Sequence, residues 1–153
     1  MTKILIASDH GGFVLKEKLK EFLVKKGFKV NDLGAHSKVR SDYPEFAYLL
    51  ASRISSGKSK RGILICKSGI GNSIVANRLA GVRAALCCNI RAAKLSRMHN
   101  DSNVLVLGSL FVNPGLAKKM VSVWLKIGFE GGRHAKRLSL VRAIERKIRG
   151  GKK

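Results

Sequence analysis

Carboxylates are scarce in this chain. Nine Asp and Glu stand against 31 Lys and Arg, a formal net charge of +22. Aromatic residues are also few, at 6%, and no nucleic-acid-binding motif accompanies the positive charge. A basic field of this size draws polyanions and small anionic substrates alike. Two readings stand: a nucleic-acid or phosphate-steering surface, and a merely solvated basic one, which the missing motif favours. No apolar run reaches about 18 residues, which excludes a membrane-spanning helix. The opening stretch MTKILIASDHGG has its apolar run halted by Asp9 and His10. It lacks the long apolar region of a secretion signal, so a cytoplasmic location is expected. Three cysteines, Cys66, Cys87 and Cys88, are an odd number without spaced pairs, which argues against a disulfide framework. No Cys/His spacing suits a zinc site. Cys87 and Cys88 are neighbours and fall on opposite faces of a strand, where they read as packing residues. There is no internal repeat, linker or second domain.

What is present is an alternation of strands and helices. Lys3–Ala7 is a continuous apolar run, as in a strand buried on both faces. Leu15, Leu19, Phe22 and Leu23 follow at helical spacing, and Gly27 ends that helix. Residues 28–33 form a more polar strand towards an edge. Pro44 suits the first turn of a helix carrying Phe46, Leu49, Leu50 and Ile54. Gly62–Ile65 is a third strand, residues 73–79 a short helix, and residues 82–88 a fourth strand. Ile90–Met98 is helical and Val104–Leu107 is the fifth strand. Asn113 caps a helix with Pro114 at its first position. A last, basic helix spans Arg133–Arg149, with Leu138, Val141, Ile144 and Ile148 as its apolar stripe. The pattern predicts an α/β fold, a three-layer α/β/α sandwich on a five-stranded parallel, Rossmann-like sheet. One domain is expected over residues 1–149, with a basic, disordered tail at 150–153.

The most informative stretch is RGILICKSGIGNSIVA, residues 61–76. It delivers Cys66 to the C-terminal end of a buried strand, where ligands bind in open α/β sheets. A glycine-punctuated loop follows and opens a helix, whose N-terminus offers unpaired amides and partial positive charge. A thiol there can have its pKa lowered and act as nucleophile or base. The alternative is a βα turn with an inert buried cysteine. The loop is neither a Walker motif nor a dinucleotide fingerprint, since it lacks Gly-Lys-Ser/Thr and a third glycine. Right-handed crossovers put strand 2 on one side of strand 1 and, if the winding reverses, strand 3 on the other, so that Asp9 and His10 are expected to meet Cys66 through Ser73 in one cleft. Arg133 and Arg137, four apart, share a helix face and suit either a phosphate clamp or a solvated surface. His99 reads as an acid or as a surface or capping residue.

Taken together, several segments resemble ribose-5-phosphate isomerase type B. They are Ser-Asp-His-Gly-Gly at 8–12, Asp-Tyr-Pro at 42–44, Gly-Ile-Leu-Ile-Cys at 62–66 and Ser-Gly-Ile-Gly-Asn-Ser-Ile-Val-Ala-Asn-Arg at 68–78. Gly-Val-Arg-Ala at 81–84, Leu-Ser-Arg-Met-His-Asn-Asp-Ser-Asn-Val at 95–104 and Glu-Gly-Gly-Arg-His-Ala-Lys-Arg at 130–137 complete the set. The resemblance implies an aldose–ketose isomerase that interconverts ribose 5-phosphate and ribulose 5-phosphate through an enediolate. It implies no metal and no cofactor, and a homodimer with active sites at the subunit interface, with tetramers as a further option. By position, Cys66 resembles the general base. His99, reached from the neighbouring subunit, resembles the acid that opens the furanose ring, with Asp9 beside the ring oxygen or hydroxyls. Ser68 takes the place of a usual threonine near the reacting oxygens. The amides of Gly69, Ile70, Gly71, Asn72 and Ser73 resemble an anion hole. His10, Arg133 and Arg137 look like phosphate contacts and Asn100 a sugar-hydroxyl contact.

Three positions depart from the family pattern. Lys67 stands where a glycine is usual, and it is strained there if φ is positive; alternatively, its ammonium adds charge to the anion loop and counts among the substrate-binding candidates. Asn72 replaces an aliphatic residue, at a place where a branch lacking the cysteine carries a glutamate base. Leu110 stands where an arginine commonly reaches the phosphate. Other readings are a hexose-6-phosphate isomerase, for allose or galactose phosphates, and a nucleic-acid-binding protein on a retired isomerase scaffold.

Overall fold

A computed structural model describes residues 3–151. Five strands alternate with helices: β1 (Lys3–Ser8), α1 (Phe13–Lys25), β2 (Lys29–Asp32), α2 (Tyr43–Ser55), β3 (Gly62–Cys66), α3 (Ile70–Ala76), β4 (Ala84–Leu86), α4 (Ile90–Asn100), β5 (Val104–Gly108), α5 (Pro114–Lys126) and α6 (Arg133–Gly150). All pairings are parallel, in the order β2-β1-β3-β5-β4. The winding reverses beside β1, which meets the condition for the ends of β1 and β3 to flank one crevice. This is the single α/β domain with a Rossmann-like sheet. Residues 152–153 of the expected tail lie outside the described residues, and Gly150 still belongs to α6.

Strand alternation builds two cores. Ile4, Ile6, Ile63, Ile65, Leu105 and Leu107 face α1, α4 and α5, where Leu19, Leu23, Met120 and Trp124 pack. Leu5, Ala7, Leu64, Val104 and Val106 face α2 and α3, against Leu50, Ala51 and Ala76. Each large side chain so buried contributes about 1.5–3 kcal/mol. The central strands β1, β3 and β5 are covered on both faces, which explains their unbroken apolar runs.

Four details differ from the sequence expectation. Helix α3 starts at Ile70 rather than residue 73, because Gly69 takes φ 79° and turns the chain into the helix at once. It stops at Ala76, where Asn77 bonds the backbone of Ala84 through both amide atoms. Strand β4 is three residues long, so Cys87 and Cys88 lie beyond it; Cys87 is buried but Cys88 is exposed. Lys16 sits on the buried face of α1, fully enclosed, with Nζ 2.6 Å from Asp32 Oδ2 and 2.7 Å from Glu17 Oε1. Of the α6 stripe only Leu138 is buried; Val141, Ile144 and Ile148 remain exposed.

Candidate active site

Cys66 ends β3 and is almost fully buried. Its Sγ accepts a hydrogen bond from the Gly69 N–H at 3.1 Å. Burial pushes the thiol above its ordinary value, and Asp9 pushes the same way. The amides of Gly69, Asn72 and Ser68 pull it back without overcoming desolvation. The lowered pKa that the helix N-terminus suggested is therefore corrected: in this cleft, desolvation outweighs the amides.

Around the thiol the loops lock together. The Asp9 side chain accepts from the Gly12 amide at 3.0 Å and is buried. His10 Nδ1 meets both the carbonyl and the amide of Ser41 at 3.1 and 3.2 Å, leaving Nε2 as the nitrogen available to a ligand. The Ser109 hydroxyl donates to Gly11 O at 2.9 Å, tying the turn after β5 to the turn after β1. A Cβ on Gly71 would lie 2.4 Å from the Tyr43 ring, so only glycine lets that ring close over the loop. Tyr43 and Ser109 were not singled out as site residues in the sequence, because their placement depends on contacts between distant segments.

The five amides expected to form an anion hole are unequal. Gly69 N–H is directed to Cys66, Ile70 N–H reaches the Ser68 hydroxyl at 3.2 Å, and Ser73 N–H is bonded to Gly69 O at 3.1 Å. The Asn72 side chain is buried with both amide atoms unpartnered, which leaves it in want of a ligand or water. Lys67 carries no backbone strain: among the described residues the one non-glycine position at positive φ is Asp101. Its side chain runs against Gly11, 2.6 Å from where a Cβ would stand, and Leu110 N–H bonds Lys67 O at 2.9 Å.

The remaining candidates form a second group. His99 and His134 stack with ring centroids 4.1 Å apart and planes 10° apart. Glu130 Oε2 lies 3.8 Å from His99 Nε2 and 3.4 Å from His134 Nε2. Arg133 Nε lies 3.5 Å from His134 Nε2. Desolvation, His99 and Arg133 hold His134 below its ordinary pKa despite Glu130. The three side chains His99, Glu130 and His134 are close enough to meet one cation. The near-parallel rings, however, direct their in-plane lone pairs side by side rather than to one point. Glu130 and His134 were missed as a pair in the sequence; the i,i+4 spacing was the available signal.

One protomer does not bring the two groups together. Helix α4 returns from the end of β4 to the start of β5, antiparallel to the strands, so His99 and Asn100 lie near the strands' N-terminal ends. Cys66 lies at the other end of a strand of five residues, roughly 16 Å long.

Among known proteins, the family described as Ribose/Galactose Isomerase matches residues 4–141. The chain is 46% identical over 147 residues to ribose-5-phosphate isomerase B of Escherichia coli, covering 96% of this chain and 99% of that protein. Its structure is similar to that of Clostridium thermocellum ribose-5-phosphate isomerase B, with a TM-score of 0.94 and 47% identity, over 96% of this chain and 99% of the other. It is also similar to Mycoplasma genitalium ribose-5-phosphate isomerase B with bound ribulose-5-phosphate, with a TM-score of 0.91 and 41% identity, over 95% and 97% of the two chains.

Proposed function

The chain belongs to the ribose/galactose isomerase family, and from that premise we propose that it interconverts ribose 5-phosphate and ribulose 5-phosphate. The observation that carries this reading is a buried thiol at the crevice mouth of β3, amide-bonded and beside Asp9. Cys66 takes the C2 proton of the open aldose as a thiolate and returns it to C1. The enediolate oxygens that develop meanwhile face Ser68 and the Gly71 and Asn72 amides, donors placed where the negative charge develops. Asp9 and Asn72 orient the hydroxyls. Lys67 supplies positive charge and His10 Nε2 a hydrogen bond at the far end of the substrate, and remote phosphate binding holds the sugar in reactive alignment.

His99, Asn100, Arg133 and Arg137 are assigned to the site of a second copy, as ring-opening acid, hydroxyl contact and phosphate clamp. Two observations support a homodimer: these residues cannot reach Cys66 of their own protomer, and α6 leaves Val141, Ile144 and Ile148 exposed. Exposed Ile70 and Ile74 on α3 extend the apolar surface beside the crevice. We place the enzyme in the cytoplasm, consistent with three free thiols. Among the described residues no helix is long and apolar enough to cross a membrane.

The test is turnover of ribose 5-phosphate by the purified chain in the presence of chelator, beside Cys66→Ala. Turnover by the parent and its loss in a folded variant are expected. Faster conversion of hexose 6-phosphates than of ribose 5-phosphate would reassign the substrate.

A further inference from the structure

At the opposite end of the sheet from Cys66, the segments entering β3 and β4 and the last turn of α4 enclose a polar cavity of about 370 Å³. Ser59, Lys60 and Arg61 lead into β3, Arg83 leads into β4, Arg97 comes from α4 and Asp101 caps its C-terminus. Four cations thus surround one carboxylate. Asp101 is already engaged on both oxygens, by Arg97 at 2.8 Å and by Arg83 at 3.1 Å. Among the described residues Lys60 and Arg61 have no acidic partner within ion-pair distance.

The guanidinium groups are held in place before any ligand arrives. Arg61 donates to Leu125 O at 2.8 Å, and Arg97 donates to Ser102 O. Both lie over the ring of Trp124, with their central carbons 5.6 and 5.9 Å from its centroid. Two like charges on one indole repel each other, and burial together with Arg97 pushes the Arg61 pKa down. An anion would relieve that repulsion. The Ser59 hydroxyl is buried here with no hydrogen-bond partner, a donor waiting for an acceptor. Guanidinium forks match phosphate oxygens two at a time, and the cavity volume falls within the usual range for small-molecule sites.

We propose that this cavity is a second anion site, separate from the isomerase cleft, which takes a small molecule bearing a phosphate or diphosphate group. Lys60 and Arg61 hold the oxyanion, Ser59 donates to it, and Arg83 and Arg97, already bonded to Asp101, form the fixed wall with it. Helix geometry keeps it apart from the candidate acid: Arg97 faces the cavity from the last turn of α4 and pairs with Asp101, the residue that caps it, whereas His99, two residues after Arg97, projects from the other face.

Trp124 is the single tryptophan of the chain and sits under the site, so its emission reports occupancy. The experiment is a titration of the full chain with inorganic pyrophosphate at low ionic strength, followed by Trp124 fluorescence and by calorimetry. Saturable binding is expected that survives the Arg133→Ala/Arg137→Ala double variant. It should weaken at least tenfold in Lys60→Glu, an exposed change that leaves the core intact, and in Arg61→Gln. Three results would overturn the proposal: no saturable signal by either method, binding abolished by the double variant, or binding indifferent to Lys60→Glu.

Discussion

A thiol acts as a base only when ionised, and burial raises the pKa of Cys66. Under the proposed role, kcat/KM should therefore climb with pH through the ordinary thiol range, and its limb should lie on the alkaline side of the ordinary thiol value of 9.0. A pH–rate profile checks this; a limb on the acid side would mean that substrate or partner charges, rather than this protomer's burial, control the thiol. Cys66→Ala should lower kcat by about 10²–10⁴, the usual worth of a general base. Lys67 is the residue whose outcome the sequence left open. It is unstrained and lies across Gly11 next to Leu110, and under the proposed function it takes over from the arginine that the family resemblance places at Leu110. Lys67→Ala should raise KM for ribose 5-phosphate several-fold while kcat changes little, the signature of lost uniform binding. An unchanged KM would assign the phosphate to His10 and the arginines alone.

At the scale of elements, the β3–α3 turn depends on one backbone conformation. Gly69 has φ 79°, and a Cβ there would stand 2.5 Å from Leu86 Cδ1. Gly69→Ala should cost about 1–3 kcal/mol, from the left-handed penalty and the collision. It should also lower kcat, because the Gly69 amide that bonds Cys66 Sγ moves with it; thermal melts and turnover measure the two effects separately. The packing of α1 on β2 turns on the enclosed Lys16. Burial alone would raise the Asp32 carboxyl, but hydrogen bonds from Lys16, Lys20 and the Gly34 amide hold it below its ordinary value of 3.8. The stability this contributes is complete above that ordinary value and is lost as pH falls through the depressed one. Acid unfolding of Asp32→Asn should lack this component, and at neutral pH the variant should be less stable by about 3 kcal/mol, because an ammonium stays buried without its closest partner.

At the scale of the whole molecule, the active site is expected to need two copies. If Cys66 of one protomer works with His99 of another, Cys66→Ala and His99→Asn are each inactive alone, but mixed dimers restore one intact site. Random reassortment in a symmetric dimer should recover roughly a quarter of the parent activity. Recovery is read by unfolding, mixing and refolding the two variants; no recovery would place both residues in one protomer's site or neither in any.

The fold was readable because its determinants are local. Unbroken runs such as Lys3–Ala7 and Val104–Leu107 mark strands covered on both faces, and Asn113-Pro114 starts α5 by chemistry confined to adjacent residues. The candidate site residues were likewise named from short motifs, which carry residue type and spacing. What local sequence does not carry is the environment that competing long-range contacts create. Only the tertiary structure decided that desolvation outweighs the amides at Cys66, that Lys16 turns inward to Asp32, and that Lys67 lies unstrained against Gly11. It also set Cys66 and His99 at opposite ends of the sheet and gathered Lys60, Arg61, Arg83 and Arg97, from three separate segments, around one cavity. Burial and charge proximity are properties of packed segments, and the chain acquires them only on folding.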